Sequence, residues 1–189
     1  SIMDIGLPLA ELRAILEDYH DLLDVAKLGI GSAYVTRNLS KKLALYRQYE
    51  IVPYFGGTLF EKFFHQGKID GYLDFLEAHG VAWIEISCGT ISIPLDQRLR
   101  LVQRVAGDLV PLADVGVKDS TAVQPNEVWL AETEALLEAG CRYVIAEGRN
   151  TATAGIYDSD GEPRHELIDD LVEAVGSERL IFEAPTSAS

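Results

Sequence analysis

The chain has 189 residues, 48% of them hydrophobic and 24% charged, which suits one globular core and excludes a disordered chain. Its formal net charge of −14 excludes a nucleic-acid or anionic-membrane surface, since both need clustered Lys and Arg. No apolar run approaches a membrane span, and Cys88 and Cys141 are the only cysteines, without metal or CxxC spacing, so a reduced cytoplasmic protein is the expectation.

Taken in chain order, short apolar runs predict strands within 1–6, 25–31, 51–57, 81–89, 109–116, 141–147 and 179–185. They are rich in Ile and Val and mostly lack polar alternation, as strands covered on both faces do. Helical patterns lie between them. Leu9, Leu12, Leu16 and Tyr19 recur at helix spacing, as do Leu167, Leu171, Val172 and Val175. Asn38 and Ser40 are candidate caps, Pro125-Asn126 opens a helix, and Gly80, Gly140 and Gly176 stand where helices stop.

Strand and helix alternate about seven times, which means parallel strands with right-handed crossovers in an α/β fold. A doubly wound sheet and a (β/α)8 barrel both fit that order. No GxGxxG follows the first strand, and charged residues mark nearly every strand end, so a TIM-barrel-type fold is expected. One domain spanning 1–189 is expected, with seven strand-helix units visible and the eighth absent, so the barrel reads as incomplete at its C-terminus.

The charges inside or just after the apolar runs carry the functional signal. They are Asp4, Lys27, Glu85, Asp114, Lys118, Glu147, Arg149 and Glu183. In a barrel such positions converge on one mouth. For any one of them a structural salt bridge is an equal explanation. For the whole set it is weaker, because removing so many charges from water for structure alone is costly. Carboxylates in excess of cations suggest Mg²⁺, and the Lys and Arg residues suggest an anionic substrate. Gly56-Gly57-Thr58 and the stretch from Ser87 to Thr90 follow strands and are candidates for presenting backbone N–H groups to an anion. The polar stretch 150–163 reads as an active-site loop or a surface connection. His20, His65, His79 and His165 fall in helical patterns, and no Ser/His/Asp or HExxH arrangement supports a hydrolase.

The phrases holding these residues resemble the phosphosulfolactate synthase family, in the same order. Gly56-Gly57-Thr58-Leu59-Phe60-Glu61 followed by Gln66-Gly67-Lys68 carries the most distinctive match. Asp4-Ile5-Gly6-Leu7, Lys27-Leu28-Gly29-Ile30-Gly31 and Glu85-Ile86-Ser87-Cys88-Gly89-Thr90 are similar to others, as are Val115-Gly116-Val117-Lys118-Asp119 and Phe182-Glu183-Ala184-Pro185. The resemblance implies a (β/α)8 barrel, a homo-oligomer, Mg²⁺ dependence, and addition of sulfite to phosphoenolpyruvate to give 2-phospho-3-sulfolactate. The family usually has Asp at Cys88, Glu at Asp114, a basic residue at Val117, Thr at Ser32, and Glu-Ala-Arg-Glu where this chain has Glu147-Gly148-Arg149-Asn150.

On this resemblance Lys27, Gly57, Thr58, Ser87 and Arg149 are expected to bind substrate, and Lys118 to protonate carbon. Asp114, Glu147 and Glu183 are expected to hold Mg²⁺, with Asp4 and Glu85 as further site residues. Two other readings stand beside it. One is an Mg²⁺-dependent enzyme on a different phosphorylated or carboxylated enolic substrate. The other is a non-catalytic, stress-associated relative.

Overall fold

A computed structural model describes residues 1–116, 124–148 and 154–184. Two compact units divide the chain, Ser1–Glu85 and Ile86–Ser189. All seven strands fall inside the apolar runs named above.

The first unit begins with β1 (Ile2–Asp4), α1 (Leu9–Tyr19), β2 (Val25–Leu28), the short α2 (Ser32–Val35) and α3 (Leu39–Gln48). It continues with β3 (Val52–Phe55), α4 (Gly57–His65), α5 (Ile69–Ala78) and β4 (Trp83–Ile86), whose last residue opens the second unit. Its strands pair in parallel and in chain order, with Ile2 opposite Ala26, Ala26 opposite Pro53, and Phe55 opposite Ile84. Ala26, Leu28, Phe55 and Ile84 are buried, and the helices cover them with stripes at helical spacing, such as Leu12 and Leu16 on α1 and Tyr72 and Leu76 on α5.

The second unit contains α6 (Leu95–Val105), β5 (Val110–Val115), α7 (Asn126–Ala139), β6 (Tyr143–Ala146), α8 (His165–Val175) and β7 (Leu180–Phe182). Its pairing is again parallel and sequential, with Ala113 opposite Val144 and Val144 opposite Leu180. Val102 and Val105, Trp129 and Leu136, and Leu167 and Leu171 are the buried stripes of its three helices.

Helix ends follow the predicted punctuation, with one exception. Gly80, Gly140 and Gly176 follow α5, α7 and α8 and all adopt positive φ, so each reverses the chain where an L side chain would be strained. Pro125 precedes α7, where its missing N–H leaves nothing unsatisfied. Asn38 stands at the start of α3, but its side chain makes no capping hydrogen bond, and Ser40 lies inside the helix.

Candidate active site

Parallel strands place the residues at their C-terminal ends on one side of each unit. In the first unit these are Asp4 on β1, Lys27 on β2 and Glu85 on β4. Lys27 and Glu85 form an ion pair, Nζ to Oε1, at 2.9 Å. Glu85 is buried, while the Lys27 side chain keeps 15% of its surface exposed. Tyr72, fully buried on α5, has a phenol pKa raised by burial and then by the Glu85 charge, so it stays protonated.

Gly56, between β3 and α4, donates its N–H to the Leu28 carbonyl at 3.0 Å and so carries the parallel ladder one residue past the strand. A Cβ built there would stand 3.2 Å from Gly29 Cα, Leu28 O and Lys27 Cε. A side chain at this position would press on two backbone atoms of the segment after Lys27 and on the Lys27 stem, each of which would have to give by a few tenths of an ångström. Gly57 is the buried first residue of α4 and Thr58 is exposed in its first turn. This brings the Lys27 stem against the turn from which α4 begins.

Asp4 faces another way. Its carboxylate accepts hydrogen bonds from the Gly6 and Leu7 N–H groups, both at 2.8 Å, and from the Tyr46 hydroxyl at 3.0 Å. Lys42 Nζ donates to both oxygens, at 3.0 and 2.7 Å. Burial alone would raise the carboxyl pKa; the Lys42 hydrogen bond, then those from Gly6 and Leu7, and the Lys42 charge outweigh it and hold the pKa below its ordinary value. Asp4 ties the end of β1 to α3.

In the second unit Asp114 on β5, Glu147 after β6 and Glu183 after β7 occupy the strand ends. Asp114 Oδ2 accepts the Ser87 hydroxyl at 2.5 Å, and Oδ1 accepts the Cys88 N–H at 3.0 Å. The Gly89 N–H in turn donates to the Ser87 oxygen at 3.4 Å. The Cys88 and Gly89 amides thus serve the loop itself and are not displayed to an anion. Burial, and then the Asp114 charge, push the Cys88 thiol up to about 12, so it is neutral. Cys141 is buried and likewise pushed up to about 12 by desolvation.

Glu147 is buried, and Glu183 Oε2 accepts the Gly148 N–H at 3.3 Å, so the two carboxylates occupy adjoining strand ends. Two antiparallel bridges shape the described residues 154–163: Gly155 pairs with Gly148, just past β6, and Tyr157 pairs with Pro163. The Tyr157 hydroxyl donates to the Glu183 carbonyl at 3.0 Å, and Arg164 donates to the Gly155 and Gln124 carbonyls, each at 3.2 Å. This part of the expected active-site loop is therefore folded onto the Glu183 end of β7. Lys118 and Arg149 lie outside the described residues.

The reading of strand ends missed several buried polar residues on helices: Lys42, Tyr46, Tyr72, Arg98 and Thr133. The signal was present, because each occupies an apolar-stripe position. Lys42 and Tyr46 share the buried face of α3 with Leu39 and Leu43, and Arg98 shares that of α6 with Val102 and Val105. A cation on a core stripe calls for a buried anion.

Parallel strands joined by helices, with ionisable side chains at their C-terminal ends, define a protein of the (β/α)-barrel class. The fold agrees with that of 3-hexulose-6-phosphate synthase from Salmonella typhimurium, at a TM-score of 0.57, 14% identity, and coverage of 97% of this chain and 77% of that one. The family described as (2R)-phospho-3-sulfolactate synthase (ComA) matches residues 1–189, and the chain belongs to that family of enzymes. It is 33% identical over 187 residues to the phosphosulfolactate synthase of Bacillus subtilis, covering 97% of this chain and 74% of that protein. It is also 33% identical over 192 residues to that of Methanocaldococcus jannaschii, covering 97% and 76%. Among the described residues no helix is long and apolar enough to cross a membrane.

Proposed function

We propose that this chain is a phosphosulfolactate synthase that adds sulfite to phosphoenolpyruvate. The chain-long match to that family carries the reading. The Lys27 ammonium, anchored by Glu85 and packed against the turn before α4, supports it. A helix start and a lysine together suit a phosphate or carboxylate, since orphan N–H groups and the ammonium both direct positive charge outward.

In the reaction, the sulfite sulfur forms a bond to the methylene carbon of phosphoenolpyruvate. The double-bond electrons move toward the carbon bearing phosphate and its carboxylate, and that carbon then takes a proton. Both reactants are anions, and two unit charges 4 Å apart interact by about 4 kcal/mol at an effective dielectric of ~20. Lys27, with Gly57 and Thr58 at the start of α4, would hold one substrate oxyanion, and Arg149 would hold another. Lys118 would donate the proton, as a lysine can where neighbouring cations draw its pKa down toward the working pH.

Glu147 and Glu183 fit an Mg²⁺ ion: they are hard oxygen donors at adjoining strand ends, and Mg²⁺ commonly takes one or two carboxylates with water and substrate oxygens. Bound there, the ion would supply a positive centre for the charge that develops on the substrate. Among the described residues no three His, Cys, Asp or Glu side chains gather around one point, so Asp114, Glu147 and Glu183 do not form one cluster there.

The test is product formation from phosphoenolpyruvate and sulfite, followed by phosphorus NMR with Mg²⁺ and after chelation. The expected result is 2-phospho-3-sulfolactate that chelation abolishes. Lys118→Met should lower kcat about 10²–10⁴-fold while KM changes little. Lys27→Met and Arg149→Met should chiefly raise KM. No product with Mg²⁺ present overturns the reading, and an unchanged kcat for Lys118→Met removes that residue from the chemistry.

A further inference from the structure

Among the described residues Arg98 is the most deeply buried cation of the second unit, with 1% of its side chain exposed. It rises from the core stripe of α6 and is held at three points. Nη1 pairs with Glu132 of α7, and Nη2 donates to the backbone carbonyl of Asp114. The same Nη2 lies 3.6 Å from Asp114 Oδ1. Burial, the larger effect, raises the Glu132 pKa, while the Arg98 charge and hydrogen bond lower it. The same guanidinium also stands beside Asp114.

Both Asp114 oxygens are occupied by donors. Oδ2 takes the Ser87 hydroxyl, while Oδ1 takes the Cys88 N–H and faces Arg98. Two of the carboxylate's roughly four lone-pair sites already take protein donors, and the Arg98 guanidinium beside Oδ1 opposes a second cation there. By contrast, the contacts to Ser87 and Cys88 fix the first two residues after β4, and Gly89 is fixed through Ser87.

We propose that Asp114 is a positioning residue and not an Mg²⁺ ligand, and that Arg98, acting through it, locks the loop 87–89 into shape. The metal-ligand half of this rests on the function proposed above; the loop half does not. The guanidinium is suited to the task because its planar fork reaches Glu132, a backbone carbonyl and a carboxylate together, which an ammonium does not.

Two measurements on the whole chain test the two halves. The first is the rate at which iodoacetamide alkylates Cys88, with buried Cys141 as internal control. Asp114→Asn and Arg98→Met are each expected to speed Cys88 alkylation at least about tenfold once the rate is corrected for thiolate fraction from its pH dependence, the scale of one lost charge-assisted hydrogen bond, with Cys141 unchanged. Arg98→Lys should restore little of the protection. If Arg98→Met exposes both thiols and so fails to fold, Arg98→Lys is read by the same criterion. The second measurement is Mn²⁺ affinity by electron paramagnetic resonance, with Mn²⁺ as the probe for Mg²⁺. Glu147→Gln or Glu183→Gln should weaken it about tenfold or more, and Asp114→Asn by less than about threefold. Cys88 alkylation unchanged in Asp114→Asn, or Mn²⁺ weakened by that variant as much as by Glu147→Gln, overturns the proposal. If the unsubstituted protein binds no Mn²⁺, the metal part of the proposed function fails, and the alkylation rates still decide the lock.

Discussion

Asp4 collects four donor groups on one carboxylate, and two of them, Lys42 and Tyr46, come from a helix some forty residues away. Removing one partner of such a pair leaves the other buried and uncompensated, which is why breaking it costs more than forming it gains. Asp4→Asn should therefore destabilise the protein by about 3–5 kcal/mol in chemical denaturation at neutral pH. The pH dependence has a definite sign. The folded pKa lies below the unfolded value of about 3.9, so the unfolded chain binds the proton more readily. The contribution is complete above about pH 4 and is lost as pH falls through the folded pKa. Denaturation midpoints measured downward from pH 5 should drop less steeply for Asp4→Asn than for the unsubstituted chain. Equal slopes would show that Asp4 is not the group being titrated.

Two glycines show how far an element's geometry constrains its sequence. Gly56 has backbone and the Lys27 stem at 3.2 Å from where a Cβ would go, whereas Gly71, exposed on α5, has only Phe63 Cε1 at 3.9 Å. Gly56→Ala should cost about 1–3 kcal/mol by overpacking. It should also push Lys27 from its place beside Glu85, raising KM for phosphoenolpyruvate more than it lowers kcat. Gly71→Ala should instead stabilise α5 by about 0.5–1 kcal/mol, because alanine has less backbone freedom to lose on folding. Thermal melts of the two variants should move in opposite directions, and shifts of the same sign would refute the packing account. Elements of this kind were legible in the sequence because strands covered on both faces leave runs rich in Ile and Val with little polar alternation, and because Gly80, Gly140 and Gly176 mark helix ends. The partners of strand-end charges were not legible. Strand patterns give Asp4 and Asp114 an end of a sheet, but their partners Lys42 and Arg98 sit on helices, joined to them by folding and not by spacing. The salt-bridge alternative weighed for single residues describes the contacts of both.

For the molecule as a whole, the net charge of −14 sets a field that the proposed substrates must cross. Close to the site local cations dominate, but Lys27 is paired with Glu85 at 2.9 Å, and such a pair has little net charge seen from a distance. Beyond the first few ångströms an approaching phosphoenolpyruvate or sulfite therefore meets a repulsive acidic surface. The reach of that surface depends on salt: the Debye length is about 30 Å at 0.01 M and about 10 Å at 0.1 M. Steered association falls with ionic strength, and opposed association should rise with it. At constant free Mg²⁺, kcat/KM for phosphoenolpyruvate should increase roughly twofold or more as potassium acetate is raised from about 0.01 to 0.1 M. The effect should reside in kcat/KM and leave kcat nearly constant, since chemistry in the bound complex does not feel the approach. A fall in kcat/KM over that range would mean that cations around the site outweigh the acidic surface. In that case Lys27→Met and Arg149→Met should each flatten the salt dependence, which identifies the residues responsible.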